Sequence, residues 1–337
     1  MRVAAFTSLD GPDGVTIQTR DDPDPGPGEA VVDVEACSIN RHDLWIVEGN
    51  SSMVGEDVLP FVSGLDVSGT VRSVGDGVEG VAPGDRVVLC PNETCGTCEF
   101  CREGPENLCE EFSLYHGGLA EQALVDADRL VSLPESLSTR TAAAIPTASM
   151  TAWHMLRRAE VQPGDLVLVP GATGGVGVAA IQLADVLNAE TIATSRSSEK
   201  LERVGELGAD HLVESDDPET LADDVSEIGQ PDAVINHLGG PFTRAGLDAM
   251  KRGGRMVICG RTAGPTSEIG LSQLYLDHQR VIGSTMGTQG DLRRLVELAA
   301  GGTYEPVVGE TYDLDSTDQA FADMQDRSAF GKLIIEP

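Results

Sequence analysis

Residues 165–184 read DLVLVPGATGGVGVAAIQLA, and this stretch decides the fold. An apolar strand ends at Pro170, glycines turn the chain, and an amphipathic helix begins. Glycines at such a turn let the backbone approach a pyrophosphate, whose charge then lies on exposed N–H groups at the positive end of the helix. A plain strand-to-helix turn is the alternative, but the position between strand and helix in a βαβ unit favours a dinucleotide site. The candidate contacts are Gly171, Thr173, Gly174, Gly175 and Val176.

The segment after the second predicted strand indicates which dinucleotide binds. A site for NAD usually has a carboxylate about 20 residues beyond the glycines, which accepts from the ribose hydroxyls. Here the strand runs into TSRSSEK at 194–200, and Ser195, Arg196 and Lys200 are the candidate contacts. A guanidinium and hydroxyls suit a 2′-phosphate better than a ribose diol. We therefore predict NADP(H); the alternative for Arg196 is a solvated surface arginine.

The pattern of the whole chain divides it into three segments. Residues 1–134 contain short apolar runs separated by Gly, Pro and Asp clusters, which predicts a β-rich domain. Residues 135–287 alternate strands with helices of about ten or more residues, which predicts an α/β fold with a parallel, doubly wound sheet. Residues 288–337 are predicted to return to the first domain. The predicted strands are 30–34, 67–74, 86–90 and 121–125, then 166–169, 191–194, 233–236, 256–259 and 281–284; the predicted helices include 176–187, 200–207 and 291–300.

The charge balance excludes some partners. The chain has 337 residues, with 55 Asp and Glu against 23 Lys and Arg, a formal net charge of −32 and a pI near 4.3. Such a surface repels nucleic acid and anionic membranes, so we expect neither as a partner. The apolar runs fall far below the roughly 18 residues of a membrane span, and the N-terminus has no secretory pattern. We therefore expect a cytoplasmic protein that acts on a small molecule.

The acidity also predicts an adaptation to salt. Only three of the 23 cations are lysines, namely Lys200, Lys251 and Lys332. Self-repulsion loosens a compact chain in dilute buffer, whereas salt shortens the Debye length to about 3 Å at 1 M. We expect a halophilic protein; an acidic mesophilic protein is the alternative.

Four of the seven cysteines lie close together, as Cys95, Cys98, Cys101 and Cys109. Four thiolates at these spacings can close a tetrahedron around zinc, and a site without an open position is structural. Disulfides are not expected in a cytoplasmic protein, and three cysteines at two-residue intervals suit a metal better than a pair of bridges. We predict one structural Zn²⁺ per chain, in a lobe at residues 90–110.

The β-rich first segment, the four-cysteine lobe and the later glycine loop together resemble the medium-chain dehydrogenase/reductase superfamily. That superfamily includes zinc-containing alcohol dehydrogenases and quinone oxidoreductases. The resemblance spans essentially the whole chain and includes the motifs GLDVSG at 64–69, GDRV at 84–87, GGRMV at 253–257 and FGK at 330–332. It implies a GroES-like β-barrel domain that includes the C-terminal tail, a Rossmann domain, and an active site in the cleft between them. It also implies a homodimer or homotetramer.

The resemblance further implies a hydride-transferring oxidoreductase. The family's nicotinamide and phosphate contacts fall on Thr151, Leu238, Gly260 and Lys332. The leading interpretation is an NADPH-dependent reductase of quinones, enones or related activated carbonyls. The alternatives are a zinc alcohol dehydrogenase with altered ligands and a non-catalytic NADPH-binding protein.

The family's catalytic zinc is the main departure. Its three ligand positions fall on Asn40, Leu65 and Thr147. None is a good zinc ligand, and leucine cannot ligate at all, so the catalytic metal is predicted to be missing. A rearranged zinc site of Cys37, His42 and Asp66 is the alternative. Cys37 falls three residues before the expected ligand position, however, and in a strand it would face the opposite side.

Without that metal, side chains must stabilise the negative charge that hydride transfer builds on the substrate oxygen. Asn40 is predicted to orient the substrate as a donor. His42 is predicted to relay a proton, since histidine titrates near neutral pH; a satisfied structural histidine is the alternative. Asp66 is predicted to orient a neighbouring group or to bind the Arg41 region structurally. Tyr115 is a further donor candidate.

Overall fold

The computed structural model describes residues 1–51 and 54–337. The chain divides into two units, each with its own core. Unit 1 consists of Met1–Thr147, Thr288–Gly302 and Pro306–Pro337, and unit 2 consists of Ala148–Gly287 and Thr303–Glu305. Within the described residues, no helix combines the length and the apolar character that crossing a membrane requires.

The described residues form seventeen strands and eleven α-helices. The strands are β1 (Arg2–Phe6), β2 (Val15–Thr19), β3 (Glu29–Ser38), β4 (Asp66–Val74), β5 (Arg86–Leu89), β6 (Asn92–Glu93), β7 (Ser113–Leu114), β8 (Gln122–Asp126), β9 (Leu130–Ser132), β10 (Leu166–Pro170), β11 (Glu190–Ser195), β12 (His211–Glu214), β13 (Ala233–Asn236), β14 (Arg255–Ile258), β15 (Arg280–Gly283), β16 (Val308–Asp313) and β17 (Lys332–Glu336). The helices are α1 (Arg41–Val47), α2 (Glu99–Glu103), α3 (Thr139–Ala143), α4 (Pro146–Arg158), α5 (Gly175–Val186), α6 (Ser198–Glu206), α7 (Leu221–Ser226), α8 (Pro241–Ala249), α9 (Leu271–Leu276), α10 (Gln289–Ala300) and α11 (Thr317–Gln325).

Unit 2 is built on a six-stranded sheet in the order β12, β11, β10, β13, β14, β15, and every neighbouring pair is parallel. β13 is buried along its whole length, and β10 and β11 at all but their first residue. Near-continuous burial of this kind is typical of the central strands of a parallel sheet. The five strands predicted for this segment are present, as are the helices predicted at 176–187 and 200–207. The predicted doubly wound parallel sheet is confirmed.

Strand β12 was not predicted from the sequence. It lies at one edge of the sheet and pairs with β11 alone. Its residues, His211–Glu214, are all partly or fully exposed and include two ionisable side chains. An edge strand that buries so little carries almost no hydrophobic signal, which explains the omission.

Unit 1 contains a sheet in the order β16, β17, β3, β4, β5, β9, with β8 also paired to the long strand β3. Its pairs are antiparallel except β16 with β17. The core beneath it includes Phe6 and Phe321, whose rings meet edge to face with centroids 5.5 Å apart. The C-terminal strand β17 places Ile334 opposite Ser38 of β3, so the tail belongs to unit 1.

The first segment of unit 1 extends beyond the boundary that the sequence predicts. It ends at Thr147 and not at residue 134. Helix α3 lies in this extension, and Ala143 within it packs with Ala36 of β3 and Ile334 of β17. The turn signals near residue 134 therefore mark a loop inside unit 1, because the next helix packs against the sheet of the same unit.

A second difference lies in the tail. Thr303–Glu305 belongs to unit 2, although the residues on either side belong to unit 1. The hydroxyl of Tyr304 is 2.6 Å from Ser149 Oγ, and the Glu305 amide donates to Gln182 Oε1 at 3.3 Å. These hydrogen bonds attach the three residues to α4 and α5, which no local pattern could indicate.

Candidate active site

The glycine-rich loop has the backbone shape that the sequence predicts. It connects β10 to α5, a helix of twelve residues that begins at Gly175. Gly171 has φ +68°, in the left-handed region that favours glycine. A Cβ at Gly177 would lie 2.7 Å from Ala172 Cα and from the Gly171 carbonyl oxygen, so α5 packs against the loop too closely for a side chain. Gly174 at the N-cap makes no side-chain cap, so the first N–H groups of α5 can receive an anion.

Beside this loop, β11 ends in a polar and basic segment. Thr173 Oγ1 lies 3.3 Å from Ser195 Oγ, which joins the loop to the end of β11. Arg196 is exposed, and Lys200 in α6 is half-buried. Burial lowers the pKa of Lys200, and the positive charges of Arg196 and Arg203 lower this pKa further. Glu199 opposes this effect, and the three cations lie close to one another after the end of β11.

Three other predicted cofactor contacts also lie in unit 2. The side chain of Leu238 lies 3.1–3.4 Å from the position that a Cβ would take at Gly171, so Leu238 borders the glycine loop. Gly260 follows β14, and a Cβ there would lie 2.1 Å from the His237 carbonyl oxygen. The segments that follow β13 and β14 therefore approach each other so closely that there is no room for a side chain at Gly260. Thr151 is buried in α4.

In unit 1, the carboxylate of Asp66 is the centre of a buried hydrogen-bond cluster. Asp66 begins β4, lies opposite Ser38 of β3, and is fully buried with it. Its Oδ2 accepts from Ser38 Oγ at 2.8 Å and from Asn40 Nδ2 at 3.0 Å. Its Oδ1 accepts from the Thr147 amide at 3.0 Å and from Thr147 Oγ1 at 2.6 Å. Lys332 Nζ lies 3.2 Å from Oδ2, and these five residues form what we name the Asp66 cluster.

Lys332 supplies the positive charge of the Asp66 cluster. Its side chain is 7% exposed, and Nζ donates to the Ile39 carbonyl oxygen at 3.0 Å and to Asn40 Oδ1. A buried ammonium needs such partners, because an unpaired charge in the interior is costly. The observed contacts of Lys332 are all within unit 1, and its function in cofactor binding stays a prediction.

The Asp66 cluster takes up the positions that the resemblance assigns to the catalytic zinc ligands. Asn40 and Thr147 hold two of these positions, and both donate to Asp66. Leu65 holds the third and is fully buried. Both hydrogens of Asn40 Nδ2 have acceptors, the second being the Ser38 carbonyl oxygen at 3.4 Å. If Asn40 donates to a substrate as predicted, the substrate replaces the Ser38 carbonyl oxygen as the acceptor of this longer hydrogen bond.

The alternative zinc site of Cys37, His42 and Asp66 does not form. In the part of the chain that the structure describes, only the four-cysteine cluster brings three or more His, Cys, Asp or Glu side chains close enough to share a metal. Cys37 pairs with Val67, one position along from the Ser38–Asp66 pair, so its side chain faces the other side of the sheet. Burial also raises the pKa of the Cys37 thiol well above its usual value.

Two histidines lie together where the sequence analysis found one. The rings of His42, in α1, and His116 are stacked, with centroids 5.6 Å apart and an interplanar angle of 26°. His42 Nε2 is a buried atom without a hydrogen-bond partner. The Tyr115 hydroxyl donates to the carboxylate of Asp126, and its function as a donor to substrate stays a prediction. The residue of this segment that contacts His42 is the next one in the chain, His116.

The four cysteines of unit 1 converge as the spacing predicts. Their Sγ atoms all lie within 4.8 Å of one another, with Cys98 and Cys101 at 3.5 Å and Cys95 and Cys101 at 3.9 Å. A tetrahedron with Zn–S bonds of about 2.3 Å has S–S edges of about 3.8 Å. The Cys95 amide donates to Cys109 Sγ at 3.3 Å, and the amides of Thr97 and Cys98 lower the pKa of Cys95 to about 6. The donor set and its spacing fit a four-thiolate metal site.

Comparison with known proteins agrees with this architecture. Residues 26–135 match the profile of the alcohol dehydrogenase GroES-like domain, and residues 175–301 match that of the zinc-binding dehydrogenase domain. An acryloyl-coenzyme A reductase of Metallosphaera sedula is 30% identical over 96% of this chain and 96% of its own. A solved NAD-dependent alcohol dehydrogenase is 34% identical, covers 100% of both chains and superimposes with a TM-score of 0.91. The 2-octenoyl-CoA carboxylase reductase CinF, solved with NADP and 2-octenoyl-CoA, is 25% identical over 99% of this chain and 87% of its own, with a TM-score of 0.90.

A GroES-like unit together with a parallel-sheet unit that carries a glycine-rich nucleotide loop defines an NAD(P)-dependent oxidoreductase. The predicted fold class is confirmed. The chain belongs to the medium-chain dehydrogenase/reductase superfamily.

Proposed function

We propose that this protein is an NADPH-dependent reductase of α,β-unsaturated carbonyl compounds, and that its substrates are enoyl thioesters of the acryloyl-CoA type. The observation that carries the proposal is the Asp66 cluster. Asn40, Leu65 and Thr147 offer no ligand set for a Lewis-acidic metal, and two of them are engaged with Asp66. A conjugated thioester suits such a site, because its activated double bond accepts hydride without a metal. The acryloyl-CoA reductase and the CinF complex support this substrate class.

The chemistry divides between the cofactor and the side chains. NADPH, when bound, supplies a hydride to the β-carbon of the substrate. The electron pair of the double bond then moves toward the thioester oxygen, and the α-carbon takes a proton. Asn40 is proposed to orient the thioester oxygen, and His42 is proposed to provide the proton. Asp66 and Lys332 hold Asn40 in place from the interior.

The preference for NADPH is supported by the basic segment after β11. Arg196, Lys200 and Arg203 lie together, and no carboxylate occupies the end of the strand, where NAD enzymes usually bind the ribose hydroxyls. These cations would attract a 2′-phosphate. The complex of CinF with NADP supports the same choice.

Steady-state kinetics with different acceptors test the proposed substrate class. NADPH oxidation is measured in molar salt against acryloyl-CoA, a benzoquinone and an aliphatic aldehyde. We expect kcat/KM for the thioester to exceed that for the other acceptors at least about tenfold. The reason is that, of the three, only the thioester has both an activated double bond and the thioester oxygen that Asn40 is proposed to orient. A preference for the quinone or the aldehyde would overturn the substrate class, whereas NADPH binding without turnover would indicate a non-catalytic protein.

The second candidate function is that of an alcohol dehydrogenase. The 34% identity to a solved NAD-dependent alcohol dehydrogenase favours it. An alcohol dehydrogenase of this kind requires a Lewis-acidic metal held by ligands other than the residues of the Asp66 cluster. It would therefore contain a second metal in addition to the one at the cysteines. Metal content thus separates the two candidates.

We further propose that Cys95, Cys98, Cys101 and Cys109 bind one structural Zn²⁺ per chain. We expect one equivalent of zinc in the purified protein by mass spectrometry of dissolved metal. Cys95→Ser should reduce it to below about 0.2 equivalents and lower the melting temperature, because a structural site contributes folding energy. Cys259→Ser, a thiol in unit 2 outside the cluster, is the matched control and should keep the zinc. Two equivalents in the wild type would favour an alcohol dehydrogenase.

We propose a homodimer that covers the apolar face formed by α9 and the edge strand β15. Leu271, Tyr275 and Leu276 are 72%, 65% and 58% exposed, and Val281 of β15 is 37% exposed. β15 is also an unpaired edge of the parallel sheet, which offers backbone hydrogen bonds to a second copy. The apolar side chains of this face let two chains of net charge −32 approach with less repulsion than an acidic face would.

The dimer proposal is tested by light scattering coupled to size exclusion. We expect the wild type to have about twice the mass of the chain, and Leu271→Asp with Tyr275→Asp to shift it to a monomer, because buried carboxylates oppose association. Leu124→Asp, at an exposed leucine of unit 1, is the control and should remain a dimer. A monomeric wild type contradicts the proposal.

A further inference from the structure

His116 is a half-buried imidazole that the proposed chemistry does not yet use. Its ring stacks on His42, and Phe61 meets it edge-on with centroids 4.9 Å apart. The two histidines come from separate parts of unit 1, α1 and the loop between β7 and β8. The His116 ring is therefore contacted by His42 and by Phe61.

A chain of hydrogen bonds fixes the tautomer of His116. The hydroxyl of Ser63 has one hydrogen, and it donates this hydrogen to Asp43 Oδ1 at 2.5 Å. The Asp43 carboxyl is the acceptor in each of its hydrogen bonds, because its oxygens also accept from the amides of Gly64 at 3.1 Å and Asn40 at 2.8 Å. Ser63 Oγ can then only accept from His116 Nδ1, which lies 3.4 Å away. His116 consequently carries its proton on Nδ1 and leaves Nε2 as the basic nitrogen.

The backbone around His116 is equally constrained. The amides of Gly117 and Leu119 both donate to the Ser63 carbonyl oxygen, at 3.2 and 3.0 Å, and the Gly118 amide donates to the Gly64 carbonyl oxygen at 3.0 Å. A Cβ at Gly64 would lie 2.6 Å from the Leu119 nitrogen. Only glycine permits this approach, so the loop that carries His116 is locked onto the segment that carries Ser63.

The surroundings of His116 keep it neutral. Burial lowers its pKa to about 4, Asp43 opposes this effect, and His42 adds to it. The groups that face the ring are His42 and Asp43 from α1, with Ser63 and Phe61 from the segment before β4. His116 is therefore neutral near neutral pH and is not itself the proton donor.

We propose that His116 is the positioning residue for His42: Asp43 and Ser63 hold the His116 ring in one tautomer, and this ring fixes the orientation of the His42 imidazole by stacking. The proposal rests on the proposed function for the donor activity of His42. In each turnover, hydride adds to the β-carbon, the π electrons form an enolate, and the enolate α-carbon takes the proton from His42. Solvent then returns a proton to His42, and the two electrons of the hydride would come from NADPH when it is bound.

Nitrogen-15 NMR of histidine-labelled protein tests the geometry without any substrate. We expect His116 to be neutral and protonated on Nδ1 from pH 8 down to about pH 5, and Ser63→Ala to increase the fraction protonated on Nε2. A His116 that is cationic at pH 6, or protonated on Nε2 in the wild type, overturns the proposal. This result does not depend on activity, so it is separable from a failure of the proposed substrate class.

Kinetics test the positioning of His42. His116→Ala should lower kcat about 10-fold to 100-fold and leave the KM for NADPH unchanged, because a mobile His42 loses much of its general-acid contribution. His116→Phe keeps a ring for stacking and should retain kcat within about threefold. His211→Phe, at the edge of unit 2, is the matched control. Equal loss of kcat in the Ala and Phe variants would contradict positioning by stacking.

Discussion

Asp66→Ala is expected to lower the free energy of unfolding by about 3–5 kcal/mol and to abolish most activity. The substitution removes the acceptor of four hydrogen bonds and leaves the ammonium of Lys332, 7% exposed, without its counter-ion. Removing one partner of a buried ion pair is costly because the remaining charge is uncompensated in the interior. Urea denaturation followed by fluorescence, in constant molar salt, measures the change.

A double-mutant cycle separates the ion pair from the other contacts of Asp66. Lys332→Met removes the ammonium that Asp66→Ala strands, so the double variant should be destabilised less than the sum of the two single variants by about 1–3 kcal/mol. Asp33→Ala is the matched control in the neighbouring strand β3, where Asp33 forms an exposed ion pair with Arg72 at 3.2 Å. We expect a change of less than about 1 kcal/mol there. Additive effects of the two single variants would contradict the paired charge.

The sequence alone predicted those features whose residues lie close together in the chain. The glycine loop between β10 and α5, and the four cysteines, are each contained in one short stretch, and the structure has the predicted arrangement at both. Burial along β10 and β13 explains why continuous apolar runs located the parallel sheet. The same reasoning failed at β12, because an exposed edge strand has no such run.

The Asp66 cluster could not be derived from local pattern. Asn40 and Lys332 are 292 positions apart, and their contact depends on β17 lying beside β3. The resemblance directed attention to Asn40, Leu65 and Thr147 as poor zinc ligands, but it gave no indication that two of them bind one carboxylate. His116 was missed for a related reason: its significance comes from Ser63 and Asp43, which reach it through a close approach of two glycine-containing segments.

Arg196→Asp is expected to reverse the preference between NADPH and NADH. The exposed guanidinium at the end of β11 is proposed to bind the 2′-phosphate, and a charged hydrogen bond of this kind contributes about 1.5–3 kcal/mol. The new carboxylate also repels the phosphate and can accept from the ribose hydroxyls of NADH. The ratio of kcat/KM for NADPH to that for NADH should therefore fall about 100-fold to 1,000-fold.

The surroundings of Arg196 sharpen this expectation. Positive charge from Arg196 and Arg203 lowers the pKa of Lys200, so an aspartate at 196 should raise that pKa. The same substitution makes the electrostatic potential of the proposed anion site less positive. Arg252→Asp, an exposed arginine of unit 2 that pairs with Asp277, changes the net charge by the same amount and should leave the ratio unchanged. Both variants are measured at molar salt, because salt screens distant charges and acts much less on a direct contact. Under these conditions the change of net charge by two units should itself have little effect on cofactor binding. If the two variants shift the ratio equally, Arg196 does not bind the 2′-phosphate and the preference for NADPH must be abandoned.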